Sequence, residues 1–164
     1  MDLQELLEIE AIKRVKYRYI RCLDQKLWDE MGSCFTEDAV AAYSGGKYAY
    51  EGREAILEFL SRSMGADTFH SSHRVHQPEI DLTGPDTAVG TWAMDDVVVM
   101  TDWALTVRGA AFYTDEYTKV DGEWKIAMTG YKRTYEEIGP RGDLPGLKLT
   151  ASWWTTGGVS SIDA

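Results

Sequence analysis

The sequence lacks the residue patterns that mark several large classes of protein. It holds only two cysteines, Cys22 and Cys34, too few for a disulfide framework and wrongly spaced for a metal site, which is typical of a reducing compartment. No apolar run approaches the roughly 20 residues that span a bilayer. The N-terminal segment Met-Asp-Leu-Gln-Glu is acidic and amphipathic, unlike a signal peptide. We therefore expect a soluble, cytoplasmic protein.

Basic residues are also fewer than acidic ones. Lysine and arginine total 17 against 27 aspartate and glutamate residues, which gives a formal net charge of −10. This balance argues against nucleic acid or an anionic membrane as the main partner. The chain has no Gly-x-Gly-x-x-Gly motif, phosphate loop, Gly-x-Ser-x-Gly elbow or His-Glu-x-x-His helix. The sequence therefore gives no support for a nucleotide cofactor, for a serine nucleophile of the hydrolase type or for a zinc-hydrolase site.

What is present indicates one α+β domain. The 164 residues suffice for a single sizeable core, and no repeat or linker interrupts them. Apolar periodicity predicts a long helix over residues 3 to about 30, a short one around 28–35 and a third over 53–63. Strands are predicted over 39–43, 47–51, 74–83, 87–100, 107–120 and 123–135, separated by glycine-rich turns. Helices followed by long antiparallel strands favour a curved sheet wrapped around the helices.

All three histidines lie between residues 70 and 76, and His76 is the strongest candidate for acid–base chemistry. It shares strand parity with Ile80 and Leu82, so alternation predicts that it points into the core. The same alternation places His70 with His76 but puts His73 on the opposite face. Because three ligands cannot converge from such an arrangement on one regular strand, we expect no metal.

Aspartate also occurs on an apolar strand face. Asp96 shares its face with Trp92 and Met94, whereas Asp95 points the other way, so the two cannot form a carboxylate dyad. A buried carboxylate is costly unless it is paired. His76 is the predicted partner of Asp96.

Three further polar residues of the first half are placed near the same interior. Tyr19 lies on the apolar stripe of the long helix, Asp24 lies near the end of that helix, and Tyr43 precedes the Ser-Gly-Gly turn. Each also has an ordinary structural explanation. Tyr19 could serve packing alone, and Asp24 could cap the next helix.

Arg133 comes late in the last strand, on the face predicted for Tyr131 and Tyr135. It could be only a salt-bridge partner of Glu136 or Glu137. His76 could likewise be a satisfied core residue, and the methionines could be core fillers or could line a pocket for a flat apolar ligand.

Six segments together resemble one protein family. Residues 18–30, Arg-Tyr-Ile-Arg-Cys-Leu-Asp-Gln-Lys-Leu-Trp-Asp-Glu, are similar to the first helix of the SnoaL-like branch of the nuclear-transport-factor-2-like superfamily. Further matches occur in order at residues 43–47, 76–80, 90–96, 109–117 and 130–137. The group that they resemble most is the bile-acid 7α-dehydratases, with scytalone dehydratase more distant.

This resemblance implies a nuclear-transport-factor-2-like cone with a deep apolar pocket, no cofactor and commonly a homotrimer. It spans a core of about 5–137 in a single SnoaL-like domain of residues 1–164, with 138–164 as a C-terminal extension. Five residues fall where the dehydratase group has its pocket residues, namely Tyr19, Asp24, Tyr43, His76 and Asp96.

The resulting hypothesis is a cofactor-independent lyase or isomerase, a hydro-lyase or a ketosteroid-isomerase-like enzyme. His76 would remove a proton next to a carbonyl of a hydrophobic, steroid-like or polycyclic substrate. Asp96 would orient His76, and Tyr19 would donate a hydrogen bond to the developing enolate oxygen. The predicted substrate-binding residues are Tyr43, Asp24, Trp92, Met94, Tyr113 and Arg133. The alternatives are a non-catalytic subunit or an apolar small-molecule binding module of the same fold.

Overall fold

The structure is a computed structural model that describes residues 2–162. Three α-helices precede or interrupt the strands: α1 (Leu3–Gln25), α2 (Trp28–Gly32) and α3 (Arg53–Met64). Six strands complete the domain: β1 (Phe35–Tyr43), β2 (Tyr48–Glu51), β3 (Phe69–Leu82), β4 (Thr87–Met100), β5 (Leu105–Val120) and β6 (Glu123–Pro140). The predicted order of elements is confirmed.

Both ends of α1 follow from local sequence. Asp2 caps the helix by accepting a hydrogen bond from the Glu5 backbone, and the Glu5 side chain reaches back to complete a capping box. The helix ends before Lys26, which adopts a left-handed conformation with φ of 56°. The helix is therefore shorter than predicted, and this stop places Asp24 in its last turn.

The strands form one curved, open sheet in the order β2-β1-β6-β5-β4-β3. Neighbouring strands are antiparallel except for β1 and β6, which run parallel. Helix α1 packs against β3 and β6. Its stripe of Ile12, Val15, Tyr19 and Leu23 is buried, as predicted. The α+β cone predicted from the sequence is confirmed.

A β-bulge in β3 overturns one prediction from alternation. The pairing of β3 with β4 shifts register between His76 and Glu79, and Gln77 has a positive φ of 50°. A bulge adds one residue to a strand, so it reverses the parity of everything beyond it. Ile80 therefore shares a face with Val75, and the prediction that His76 points into the core is wrong.

A second bulge lies in β6 opposite Ala110 and Ala111. Ala110 pairs with Tyr135 and Ala111 with Arg133, so one residue of β6 is left over between them. As a result Tyr131 and Arg133 are partly buried, while Tyr135 is exposed. The predicted common face of Arg133 and Tyr135 is therefore wrong for the same reason.

The segment after β6 has no helix or strand in its described part, residues 141–162. Its Arg141 side chain donates a hydrogen bond to Thr106. Trp154 lies against Lys26 at the end of α1, with the ammonium 4.1 Å from the indole ring centre. Among residues 2–162, none of the helices has the length and apolar character needed to cross a bilayer.

Candidate active site

A cavity of about 280 Å³ lies between α1, α3 and the concave face of the sheet. Aromatic side chains form much of its wall, and one histidine borders it. The residues that matter below are Tyr19, Tyr43, Tyr113, Tyr131, Phe59 and His73. Such an apolar cavity with a few convergent polar groups is the usual form of a small-molecule site.

Tyrosine hydroxyl groups supply polar contacts inside this cavity. The hydroxyl groups of Tyr19 and Tyr43 are 3.2 Å apart and share a hydrogen bond. Tyr113 packs edge-on against Tyr19 and Tyr131, with ring centres 6.4 and 5.4 Å away. Burial raises the pKa of Tyr19, Tyr43 and Tyr113 above the ordinary value. These phenols therefore remain protonated donors at neutral pH.

His73, not His76, is the histidine that reaches this interior. Its side chain is 9% exposed, and its Nδ1 lies 2.7 Å from Oδ1 of Asp24. Asp24 also accepts hydrogen bonds from the backbone N–H of His73 and from the Ser71 hydroxyl, each at 2.8 Å. Three donors thus fix the carboxylate, and the carboxylate in turn fixes the imidazole ring.

Asp96 lies close to Nε2 of His73 and forms an ion pair with Arg133. Both guanidinium Nη atoms donate to its two carboxylate oxygens, with Nη2 to Oδ2 at 2.9 Å. The nearest Asp96 oxygen is 4.0 Å from Nε2 of His73, and the Asp96 side chain is 2% exposed. Arg133 also lies 3.1 Å from Glu136. Asp96 is therefore buried and paired, as predicted, but its partner is Arg133 and it makes no hydrogen bond to a histidine.

His76 lies on the opposite face of β3. Its Nε2 is 3.0 Å from Oδ2 of Asp95, and its side chain is 44% exposed. The expected pair of His76 with Asp96 is therefore wrong, because the bulge at Gln77 reverses the alternation between His76 and Ile80. Proline in a strand is confined to edges and bulges. The sequence Gln77-Pro78 was thus a signal that would have favoured His73.

The other predicted residues divide into two groups. Tyr19, Tyr43 and Tyr113 line the cavity, as proposed. Trp92 and Met94 are buried in the core but do not line the cavity, and the Trp92 indole donates to the Tyr117 hydroxyl at 3.0 Å. The alternating pattern identified their inward face correctly. The pattern could not show that Trp92 and Met94 lie in a part of the core that does not border the cavity.

His73 also borders a second, open groove between α1 and the edge strand β3. Asp24, Arg21 and Tyr17 line this groove together with His73. The histidine therefore lies between the aromatic cavity and an open groove. Asp24 reaches both histidine and groove because it occupies the last turn of α1.

The donor set does not indicate a metal centre. Within residues 2–162, no three side chains of histidine, cysteine, aspartate or glutamate cluster in an arrangement that could hold a metal ion. His70 lies apart from His73, and burial together with Lys26 and Arg141 lowers its pKa.

The fold and its aromatic-lined cavity define a small α+β cone of the nuclear-transport-factor-2-like class. The chain belongs to the SnoaL-like domain family, whose model matches residues 4–129. That span contains Asp24, His73 and Asp96, while Arg133 lies just beyond it.

Solved structures of the same fold include enzymes. One, provisionally assigned as a scytalone dehydratase from Novosphingobium aromaticivorans, is 25% identical with a TM-score of 0.75, covering 81% of this chain and 88% of its own. The hexachlorocyclohexane dehydrochlorinase LinA type 3 from Novosphingobium barchaimii is 20% identical with a TM-score of 0.77, covering 91% and 98%. A nuclear-transport-factor-2-like protein of unknown function from Pseudomonas putida is 17% identical with a TM-score of 0.63, covering 75% and 84%.

Proposed function

We propose that this protein is a lyase or isomerase that works by acid–base chemistry of its own side chains. The observation that carries the proposal is the contact of 2.7 Å between His73 Nδ1 and Asp24 Oδ1 at the wall of the tyrosine-lined cavity. A carboxylate that orients a histidine in this way is a recurrent arrangement for a general base. The dehydratase and dehydrochlorinase names of the structural neighbours support a lyase.

In this scheme His73 is the base. An ionised carboxylate can only accept hydrogen bonds, so the contact with Asp24 requires the imidazole proton to be on Nδ1. Nε2 then carries the lone pair and can remove a proton from a substrate carbon. The imidazolium that forms is stabilised by Asp24, and the Asp96 carboxylate at 4.0 Å from Nε2 adds to this.

The tyrosines would bind the substrate carbonyl. When the proton leaves the carbon next to the carbonyl, negative charge develops on the carbonyl oxygen. The hydroxyl group that accepts the hydrogen bond within the Tyr19–Tyr43 pair keeps its own proton, which it can donate to that oxygen. One donor of this type typically accelerates such a step by about 10²–10³-fold.

The electron pair then determines the product. If the carbon next to the deprotonated carbon carries a hydroxyl or halide, the enolate pair forms a new C=C bond and that group leaves as hydroxide or halide with the electrons of its own bond to carbon. The C–H proton on His73 then passes to the departing hydroxide or to water. If no leaving group is present, the proton returns from His73 to a different carbon, and the product is an isomer. The first outcome is a dehydratase or dehydrohalogenase and the second is an isomerase.

The cavity favours a hydrophobic substrate with one carbonyl end. Its volume of about 280 Å³ lies just below the range typical of small-molecule sites, about 300–1,000 Å³. One or two fused rings would fit inside. A larger, steroid-like substrate would have to extend past His73 into the groove between α1 and β3.

The test compares two histidines on the same strand. In D₂O, a panel of compact cyclic ketones is incubated with the protein, and exchange of hydrogen next to the carbonyl is followed by NMR. We expect His73→Gln to slow exchange by about 10²–10⁴-fold, the usual contribution of a general base. His76→Gln is the matched control and should leave the rate within about twofold of wild type, since this side chain does not line the cavity that holds a compact ketone and only borders the open groove outside it.

Circular dichroism and thermal melts would show that both variants keep the fold. Equal rates for the wild type and a folded His73→Gln variant would contradict the proposed base. Loss of exchange in His76→Gln alone would mean that His76, and not His73, is the general base.

A further inference from the structure

A lysine is wholly buried beneath the candidate site. Lys16 lies on the inner stripe of α1, one turn before Tyr19, and its side chain has no exposed surface. Its Nζ is 2.7 Å from Oδ2 of Asp115, which is equally buried. Neither residue lines the cavity, and the acid–base scheme above uses neither.

The carboxylate end of this pair is held on the side away from the cavity. Asp115 accepts hydrogen bonds from the hydroxyl groups of Thr129 and Tyr117, each at 2.7 Å. Tyr117 in turn accepts from the Trp92 indole. These donors fix the carboxylate in place, and none of the three residues borders the cavity.

The ammonium end faces the aromatic wall of the cavity. Nζ lies 3.5 Å from the centre of the Tyr113 ring and 5.0 Å from that of Tyr19. Both rings line the cavity. Burial lowers the pKa of Lys16, and Asp115 counteracts this effect. The pair is thus a fixed dipole whose positive end lies against two phenol rings that line the cavity.

Stability gives little reason to keep such a pair. Taking two charges out of water costs about as much as their attraction returns, and well-packed apolar replacements are often equally stable. A fixed dipole aimed at a reaction centre, in contrast, stabilises charge as it develops without any reorganisation.

We propose that the Lys16–Asp115 pair is a positioning element that makes the cavity selective for negative charge on a ligand oxygen. Its ammonium, 3.5 Å from the centre of the Tyr113 ring and 5.0 Å from that of Tyr19, places a positive field at the phenol wall of the cavity. This inference rests on the proposed function in one respect, that the ligand oxygen becomes anionic during reaction. Its effect on ligand binding does not depend on turnover.

The test uses 4-nitrophenol, because its ionised and neutral forms absorb at different wavelengths and it is small enough for the cavity. We expect the wild type to bind the phenolate in preference to the phenol, and also more tightly than 4-nitrotoluene, a neutral compound of the same shape. Replacing both charges in Lys16→Met/Asp115→Asn should weaken phenolate binding by about three- to tenfold, as expected for the loss of a nearby positive charge that its partner partly offsets. Binding of 4-nitrotoluene should not change.

A second ion pair provides the matched control. Lys119 lies 2.7 Å from Glu8 and packs on the Trp124 ring at 5.0 Å, and none of these residues lines the cavity. Lys119→Met/Glu8→Gln should leave phenolate binding unchanged. Equal losses in both double variants, or equal loss for phenolate and 4-nitrotoluene, would overturn the proposal.

The wild-type comparison is independent of whether the Lys16 variant folds. A wild-type cavity that fails to bind the phenolate, or binds it no more tightly than 4-nitrotoluene, also overturns the proposal. Loss of ketone exchange in His73→Gln with unchanged phenolate binding in Lys16→Met/Asp115→Asn would refute the dipole and leave the proposed base intact.

Discussion

Asp24 is the residue on which the candidate site most depends, because it joins the end of α1 to the edge strand β3. One carboxylate binds the imidazole of His73, the backbone N–H of the same residue and the hydroxyl of Ser71. The same carboxylate therefore covers a backbone donor at the edge of the sheet and orients the proposed base. A structural role and the proposed catalytic role therefore belong to the same side chain.

This coincidence gives a prediction for Asp24→Asn. The amide still resembles the carboxylate in shape, but it must place an NH₂ group against a donor. We expect proton exchange to slow by at least about 10²-fold because the imidazolium loses its counter-charge. We also expect the free energy of unfolding to fall by about 1–3 kcal/mol. Urea unfolding and ketone exchange by NMR measure the two effects.

Ser71→Ala is the control for this prediction. It removes one of the three hydrogen bonds to Asp24 and leaves the imidazole contact in place. The unfolding free energy should fall by about 0.5–1.5 kcal/mol, with exchange nearly unchanged. If Ser71→Ala slows exchange as much as Asp24→Asn, the histidine contact is not the important one.

At the scale of the element, the bulge in β3 determines which histidine meets the cavity. Gln77 adopts a φ of 50°, a left-handed conformation that glycine adopts freely and β-branched residues avoid. We expect Gln77→Val to lower the unfolding free energy by about 1–2 kcal/mol. Gln77→Gly should stay within about 0.5 kcal/mol of wild type, as measured by urea unfolding. Equal stability of the two variants would mean that the bulge imposes no such requirement on Gln77.

The N-terminal part of α1 is tied to the β5–β6 hairpin by Glu8. Its Oε2 accepts hydrogen bonds from Lys119 at 2.7 Å and from the Trp124 indole at 2.6 Å. These contacts, led by Lys119, lower the pKa of Glu8 from 4.5 to about 2. A carboxyl group whose pKa is depressed on folding stabilises the folded state above its unfolded pKa, and this contribution is lost as pH falls through the folded pKa.

The corresponding prediction concerns Glu8→Gln. The wild type should be more stable than the variant at pH 7, and this difference should shrink below about pH 4.5 and disappear near pH 2. Urea unfolding of both proteins across this range measures it. A stability difference that does not change with pH would show that the charge of Glu8 contributes nothing.

For the whole molecule, the prediction concerns self-association through the outer face of the sheet. Phe112 and Tyr135 are 53% and 52% exposed there, and Val97 and Val99 on the same face are half-buried. Large apolar side chains exposed on one face are candidates for an interface. We therefore predict a homo-oligomer, with a trimer favoured by the family resemblance.

Light scattering at micromolar concentration tests this prediction. Phe112→Lys should shift the mass towards that of a monomer, whereas Thr114→Lys, two residues further along the same face, should do so less because it removes no apolar surface. A strict wild-type monomer would contradict the prediction.

The sequence by itself determined the order of elements, the buried stripe of α1 and the inward face of β4. These properties depend on local periodicity, and the side chains of a helix or a regular strand follow it wherever the element is placed. The same patterns identified Tyr19, Tyr43, Asp24 and Asp96 as polar groups near the interior.

The tertiary structure alone decided which histidine joins them. Alternation is reliable only while the strand is regular, and one extra residue at Gln77 reversed it between His76 and Ile80. It also decided that Arg133, and not a histidine, binds Asp96, and that Lys16 lies beneath Tyr113. These contacts join residues far apart in sequence. They follow from how the sheet curves around α1, which no local pattern records.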